Sequence, residues 1–245
     1  MATVIPMTKS VTGASANSLA NMRLWQLISP SLPIGAYAYS QGLESAVEKG
    51  WVNNESEALE WISGILQFSL STLDGPILLR FYQAWQTQNF QALEYWNQYL
   101  LASRESSELY LEDQQMGLAL KRLLNELLGP ENQQAIQDIQ QLEQISAPSY
   151  SMLFTLAANH WKIPIADTIQ GFLWSWCENQ VAAGIKLIPL GQTAGQRILS
   201  KLLPIIEQSS HRALTISDDE IGALAPGFAI GCAHHEVQYS RLFRS

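Results

Sequence analysis

Cysteine and basic residues are scarce in this sequence of 245 residues. Its two cysteines, Cys177 and Cys232, are too few for a disulfide framework and are typical of a protein from a reducing compartment. Fourteen Lys and Arg residues stand against 22 Asp and Glu residues, which gives a formal net charge of −8. Because nucleic acids are bound through clustered cations that neutralise phosphates, this balance argues against a nucleic-acid partner.

Segments that would enter a membrane are also lacking. Residues 1–21 are rich in Ser, Thr, Ala and Asn, and they contain no continuous apolar run of the kind found in signal peptides. The longest uncharged stretch, Leu24 to Leu43, contains two prolines, two glycines and two glutamines. A single helix of that composition would leave polar groups unpaired in lipid. We therefore expect a soluble protein without a membrane partner.

The alternation of apolar and polar residues that marks β-strands is nearly absent, whereas apolar residues recur at helical spacing from about Met22 onward. The segments predicted to be helical follow Asn54 and Asp74, run over 93–100, 109–127, 133–145, 150–161, 166–184 and 193–207, and end with a last helix that starts at Ser217. The helix from residue 166 is apolar nearly all round, which predicts a central position. We predict an all-α fold: a single compact multi-helix domain over residues 22–245 behind a flexible N-terminal arm, residues 1–21.

Motifs of the common catalytic and nucleotide-binding sites are missing as well. The glycines fit neither a Walker loop nor a dinucleotide fingerprint, and no Gly-x-Ser-x-Gly elbow occurs. Several carboxylates lie close together at the helical spacing of a solvated helix face: Glu105, Glu108, Glu112 and Asp113. We therefore expect no catalysis, with a small helical hydrolase that carries no known motif as the last alternative.

One short segment has the side chains of a metal site. Cys232, His234, His235 and Glu236 supply sulfur, nitrogen and carboxylate ligands within five residues. A zincin helix needs a second histidine at position 239, where this chain has Tyr239. The two adjacent histidines would also point about 100° apart on a helix. We expect no tightly bound metal or other cofactor. A metal-binding chaperone that uses Cys232, His234 and His235, alone or between two copies, is the alternative.

Two internal segments have a composition that suits an interface. Residues 29–44 combine two prolines with Tyr37 and Tyr39. Tyrosines on a stiff loop add contact area to an interface at little entropic cost, although packing in the core would explain them equally well. Residues 184–192 have Lys186 as their only charged side chain, so its ammonium must reach solvent or a specific acceptor.

The end of the sequence, residues 238–245, carries large anchor-type side chains. Tyr239, Arg241 and Phe243 lie in this segment, where a chain end is expected to fray and to make few long-range contacts. Aromatic and arginine side chains are enriched among the residues that dominate binding at interfaces. The segment therefore predicts a partner-binding tail, with a final turn docked on its own domain as the alternative.

Together these segments resemble the urease accessory protein UreF family. The resemblance extends in character from about Met22 to Ser245. It rests on four runs in this order: Ser31-Leu-Pro-Ile-Gly35, Tyr37-Ala-Tyr-Ser-Gln-Gly-Leu-Glu44, Gly184-Ile-Lys-Leu-Ile-Pro-Leu-Gly-Gln192 and His235-Glu-Val-Gln-Tyr-Ser-Arg-Leu-Phe-Arg-Ser245.

The resemblance implies an all-helical, dimeric, cytoplasmic protein that is a urease maturation factor and not an enzyme. UreF-like proteins bridge the accessory protein UreD, also called UreH, and the GTPase UreG. This assembly delivers nickel into apo-urease, and the family is proposed to regulate the GTPase. The implied partners are therefore UreD/UreH, UreG, apo-urease and a second copy of the chain.

The resemblance also implies roles for individual residues. Tyr37 and Lys186 match family positions on the side that faces the GTPase, and Arg241 matches the tail residue that assembles the complex with UreD/UreH. Further candidates for partner binding lie in the same motifs: Glu44, Gln192, Tyr239 and Phe243.

Overall fold

The computed structural model describes residues 14–128, 132–142, 145 and 147–245. Within these ranges the chain forms α-helices, short 3-10 and π segments and no β-strand, which confirms the predicted all-α fold of one compact domain. The α-helices of these ranges are α1 (Ala14–Leu27), α2 (Leu43–Glu48), α3 (Glu55–Ile65), α4 (Asp74–Gln86), α5 (Phe90–Ala102), α6 (Ser107–Leu127), α7 (Gln133–Gln141), α8 (Tyr150–His160), α9 (Ile165–Leu187), α10 (Gln192–Ala213) and α11 (Pro226–Glu236).

Short polar side chains begin many of these helices. Asn54 accepts hydrogen bonds from the backbone N–H groups of Ser56 and Glu57 ahead of α3, which satisfies two of the donors that every helix start leaves unpaired. The other residues that cap a helix start through their side chains are Asn89, Ser106, Asn132 and Ser149. The predicted cap Asp74 is instead the first residue of α4 and pairs with Arg104.

The last helix begins later than the sequence predicts. Ser217 starts only a 3-10 turn over Asp218–Glu220. The chain then runs in an extended conformation, because Gly222 N and Leu224 N donate hydrogen bonds to carbonyl groups of the π segment Leu66–Leu70 and the turn that follows it. These tertiary hydrogen bonds replace the local ones of a helix, and α11 begins at Pro226.

The start of the domain also differs from the prediction. Helix α1 begins at Ala14, inside the predicted arm of residues 1–21. Residues 1–13 of that arm lie outside the described residues.

Helix α9 is the centre of the fold, as its apolar circumference predicts. It contacts α1, α2, α3, α4, α8 and α10, and Ile169, Leu173 and Cys177 on it are fully buried. Helix α10 approaches α9 closely at Gly195, where a Cβ atom would lie 2.5 Å from the Cδ1 atom of Ile185. A side chain at this position would therefore require the Ile185 side chain to move.

Within the described residues no single helix is both long and apolar enough to cross a membrane. The segments Glu55–Leu70 and Asp74–Gln86 reach the required length and composition only as a pair, which is bent by 43°.

Candidate functional site

The tail, residues 238–245, returns from the end of α11 to the loop between α1 and α2. Arg244 N donates a hydrogen bond of 2.8 Å to the carbonyl of Ala38. The carbonyl oxygen of Ser245 accepts hydrogen bonds from Ser40 N at 2.7 Å, Gln41 N at 2.9 Å and Ser40 Oγ at 2.6 Å. The expectation that the tail makes few long-range contacts is wrong, because these bonds join residues about 200 positions apart in the sequence.

Glu44 holds the middle of the tail from inside the domain. It is buried at the start of α2, and its carboxylate accepts hydrogen bonds from Leu242 N at 2.6 Å and Phe243 N at 2.8 Å. A buried carboxylate that accepts two backbone N–H groups satisfies donors that an irregular segment would otherwise leave unpaired. Glu44 is thus a residue that positions the tail, and its side chain is not on the surface as a partner contact would be.

The fully buried imidazole of His235 joins Glu44 to a second carboxylate. Its Nε2 atom lies 3.3 Å from Glu44 Oε2, and its Nδ1 atom lies 2.6 Å from Glu108 Oε2. Arg241 of the tail pairs with the other oxygen of Glu108. The row Glu44, His235, Glu108, Arg241 connects α2, α11, α6 and the tail.

The three candidate metal ligands of α11 do not converge. His235 faces the two carboxylates, whereas the exposed His234 lies against the Trp51 ring, with 6.4 Å between ring centroids. Cys232 is buried, and burial together with nearby carboxylates raises the pKa of its thiol, which disfavours the thiolate that binds metals. No group of three or more His, Cys, Asp or Glu side chains among the described residues is arranged to hold a metal ion.

Lys186 and Phe243 are in contact. Lys186 is exposed near the end of α9, and its Nζ atom lies 5.4 Å from the centroid of the Phe243 ring, within the range of a cation–π interaction. Of the two alternatives for Lys186, solvent or a specific acceptor, the structure shows a solvent-exposed side chain. The prediction of Phe243 as an exposed anchor is wrong, because only 6% of this residue is exposed and it packs in the core cluster.

The remaining candidates lie on the surface. Tyr239 of the tail is fully exposed and Arg241 is partly exposed. Tyr37 is 67% exposed, whereas Tyr39 is buried. The sequence allowed either an interface role or core packing for these two tyrosines, and Tyr39 packs in the core while Tyr37 is available to a partner. Gln192 is exposed at the start of α10.

A cavity of about 340 Å³ lies beneath Tyr37 and Gln192. Its lining extends to Arg104, which pairs with Asp74 at 2.8 Å and Asp113 at 2.6 Å. The prediction of a solvated acidic helix face is therefore wrong for Asp113, which is buried against the domain.

Glu112, on the same turn of α6, was likewise predicted to face solvent, and only 5% of it is exposed. Its carboxylate accepts hydrogen bonds of 2.7 Å from both Gln41 Nε2 and Ser245 Oγ. Burial raises its pKa to about 7, against the opposing effect of these two hydrogen bonds. Sequence reasoning missed this residue and Glu108, since the spacing of charges along α6 does not show which turns another segment covers.

The tail, the loop 35–42 and the end of α9 thus form one site, which combines three of the four runs that carry the family resemblance. The model of the UreF family matches residues 52–203. The chain belongs to the UreF family. It is 46% identical to the urease accessory protein UreF of Alkalilimnicola ehrlichii over 227 aligned residues. The aligned residues cover 93% of this chain and 96% of that protein.

Other proteins named urease accessory protein UreF are similar over nearly the same span. The one from Marinobacter nauticus is 47% identical over 227 residues, 93% of this chain and 95% of that protein. The one from Pseudoalteromonas translucida is 46% identical over 231 residues, 94% of this chain and 96% of that protein. The resemblance inferred from the sequence is therefore confirmed, and the similarity extends well beyond its short runs.

Proposed function

We propose that this chain bridges UreD/UreH and the GTPase UreG and regulates GTP-dependent nickel insertion into apo-urease, without a reaction of its own. The observation that carries the proposal is the docked tail. Its backbone is held by buried groups of the domain, whereas the side chains of Tyr239 and Leu242 are exposed and that of Arg241 is partly exposed beside Glu108. Aromatic and arginine side chains on an ordered segment bind a partner without a large loss of conformational entropy.

The site has two sides that suit two partners. Tyr239 and Arg241 lie on the tail itself and are assigned to UreD/UreH. Lys186, Tyr37 and Gln192 lie at the end of α9, on the adjoining loop and at the start of α10, and are assigned to UreG. Lys186 contacts the ring of Phe243, so the surface offered to the GTPase depends on how the tail is seated.

Nickel is the cargo of the proposed complex and is not a resident cofactor of this chain. The divergence of Cys232, His234 and His235 supports this assignment. The metal-binding chaperone has no comparable support, because His235 is already engaged by Glu44 and Glu108. We place the complex in the cytoplasm and the chain in a homodimer.

The test is co-expression with UreD/UreH and UreG, followed by size-exclusion chromatography and nickel analysis of each peak. We expect the wild-type chain to co-elute with both partners. Tyr239→Ala should lose UreD/UreH while retaining its fold, because this side chain makes no contact that buries it. Arg122→Ala, an exposed arginine on α6, is the matched surface control for Arg241→Ala and should behave as wild type. Co-elution of the Tyr239→Ala and Arg241→Ala variants at wild-type yield would contradict the proposal.

A further inference from the structure

Glu112 is a buried carboxylate that has no cationic partner within the part of the chain that the structure describes. Among the described residues, Glu44 and Glu108 face His235, and Asp113 faces Arg104, whereas Glu112 is bound only by the neutral donors Gln41 and Ser245. A buried charge without an opposite charge in contact is costly, so such a group tends to bind a proton.

The charged and titratable groups around Glu112 do not supply the missing cation. Asp113, on the same helix as Glu112, raises the pKa of Glu112. Arg104, just before that helix, lowers it, but this arginine is already paired with Asp113 and Asp74. The groups that face it from other elements are the phenol of Tyr39 and the thiol of Cys232. In the tail, Arg244 lowers the pKa of the Tyr39 phenol, against the larger effect of burial, which raises it. On α9, Glu178 lines the 340 Å³ cavity that Glu112 also lines.

The contact between Glu112 and the tail is compatible with both protonation states. Ser245 Oγ donates to the carboxylate, and the same hydroxyl accepts from the protonated acid by rotation of its hydrogen. Protonation therefore removes the buried charge and keeps the contact. Ser245, itself 2% exposed, covers Glu112 from the side of the tail, so departure of the tail would admit water to the carboxylate and lower the cost of its charge.

We propose that docking of the tail onto the helical domain is coupled to protonation of Glu112, so that the tail is held more tightly in acid and is released more readily in base. The sign follows from linkage. With the tail docked, burial raises the pKa of Glu112 from its ordinary value of 4.5 to about 7. The part of this rise that depends on the tail favours docking at low pH, and this advantage is lost as the pH rises through 7. A full return of the pKa to 4.5 on undocking corresponds to a change of about tenfold in the docking equilibrium between pH 6 and pH 8.

This coupling would make the tail a proton-sensitive element of the protein. Tyr239 and Arg241 move with the tail, and Lys186 loses its aromatic neighbour when Phe243 leaves. The inference rests on the contacts of Glu112 and is independent of which protein binds the tail, so its failure would not count against the proposed function.

The experiment is hydrogen–deuterium exchange of the full chain at pH 6 and pH 8, with each rate divided by the intrinsic rate at that pH. The reporters are the amides of Leu242, Phe243 and Arg244, which donate to Glu44 and Ala38. We expect their protection in the wild type to be about tenfold lower at pH 8. Glu112→Gln should remove this difference and raise protection at pH 8 to at least the wild-type level at pH 6.

Glu126→Gln provides the matched control, since Glu126 is an exposed carboxylate on the same helix and its variant should keep the wild-type pH dependence. A pH dependence that persists in Glu112→Gln would assign the effect to another group, such as His235, and overturn the inference. A second measurement needs no variant: an NMR titration of the Glu112 carboxyl carbon should show a midpoint near 7. A midpoint near 4.5 would also overturn it.

Discussion

At position 235, a buried imidazole lies between the carboxylates of Glu44 and Glu108. His235→Gln would take the imidazole away from between these two carboxylates. A buried polar group left without its hydrogen-bond partner costs about 1–3 kcal/mol, so we expect the free energy of unfolding to fall by about this amount. Urea denaturation followed by circular dichroism measures the change.

The neighbouring His234→Ala is the control for that measurement. Because His234 is exposed, we expect its loss to change the stability by no more than about 0.5 kcal/mol and to leave both nickel binding and urease activation intact. Loss of activation in a variant that lacks both histidines would therefore report lost stability and not a lost metal site. A tight one-to-one nickel isotherm that disappears in His234→Ala would revive the metal-chaperone alternative.

Lys186 allows a partner contact to be separated from a structural one. In Lys186→Ala the cation–π interaction with Phe243 is lost, and at an exposed site this costs about 0.5–1 kcal/mol. We expect the fold and UreD/UreH binding to survive, and recruitment of UreG or its GTP turnover to change. Tyr37→Ala should have the same effect on UreG through lost contact area.

Both variants are tested by a pull-down of UreG with the preformed complex of this chain and UreD/UreH. The rate of GTP hydrolysis is measured in parallel. Lys201→Ala, an exposed lysine on α10 that approaches Glu55 at 3.5 Å, is the matched control. Wild-type recruitment and turnover in both Lys186→Ala and Tyr37→Ala would remove these residues from the GTPase-facing side.

At the scale of an element, the tail is both a candidate binding segment and part of the core. Deletion of residues 238–245 removes the buried ring of Phe243 and leaves Glu44 without two of its donors. Burial of a phenylalanine side chain contributes about 1.5–3 kcal/mol, so we expect the helical circular dichroism to persist while the urea midpoint falls.

The point variant Tyr239→Ala is the companion to this deletion. It lies in the same element but is fully exposed, so the urea midpoint should stay at the wild-type value while capture of UreD/UreH is lost. An unchanged midpoint on deletion of the whole tail would show that the tail contributes nothing to the stability of the domain.

At the scale of the whole molecule, helix α1 presents a row of large apolar side chains to solvent. Leu19, Met22 and Trp25 recur every three residues along α1 and are each about half exposed or more. Large exposed apolar stripes mark association surfaces, which agrees with the proposed homodimer. We expect light scattering to give twice the 27.3 kDa of one chain, and Trp25→Asp to shift the mass toward a single chain. A wild-type mass of one chain at every concentration would exclude the homodimer.

Features that depend on neighbours along the chain could be predicted from the amino-acid sequence alone. Helical spacing of apolar residues gave the all-α class, Asn54 gave a helix start, and the apolar circumference of residues 166–184 gave the central helix. The family resemblance also came from short runs whose residues are adjacent. These predictions were reliable because caps, breaks and periodicity are decided within one or two helical turns.

Tertiary structure alone decided which polar residues are buried. Glu108, Glu112 and Asp113 have the spacing of a solvated face, yet the tail and neighbouring helices cover them. Phe243 is held by Glu44 across 199 positions of sequence, and Ser217 fails to start a long helix because the next residues bond to a distant carbonyl. Such pairings depend on the free energy of burying polar groups and pairing their hydrogen-bond donors and acceptors after the fold has brought them together. No local pattern along the chain shows which groups will meet.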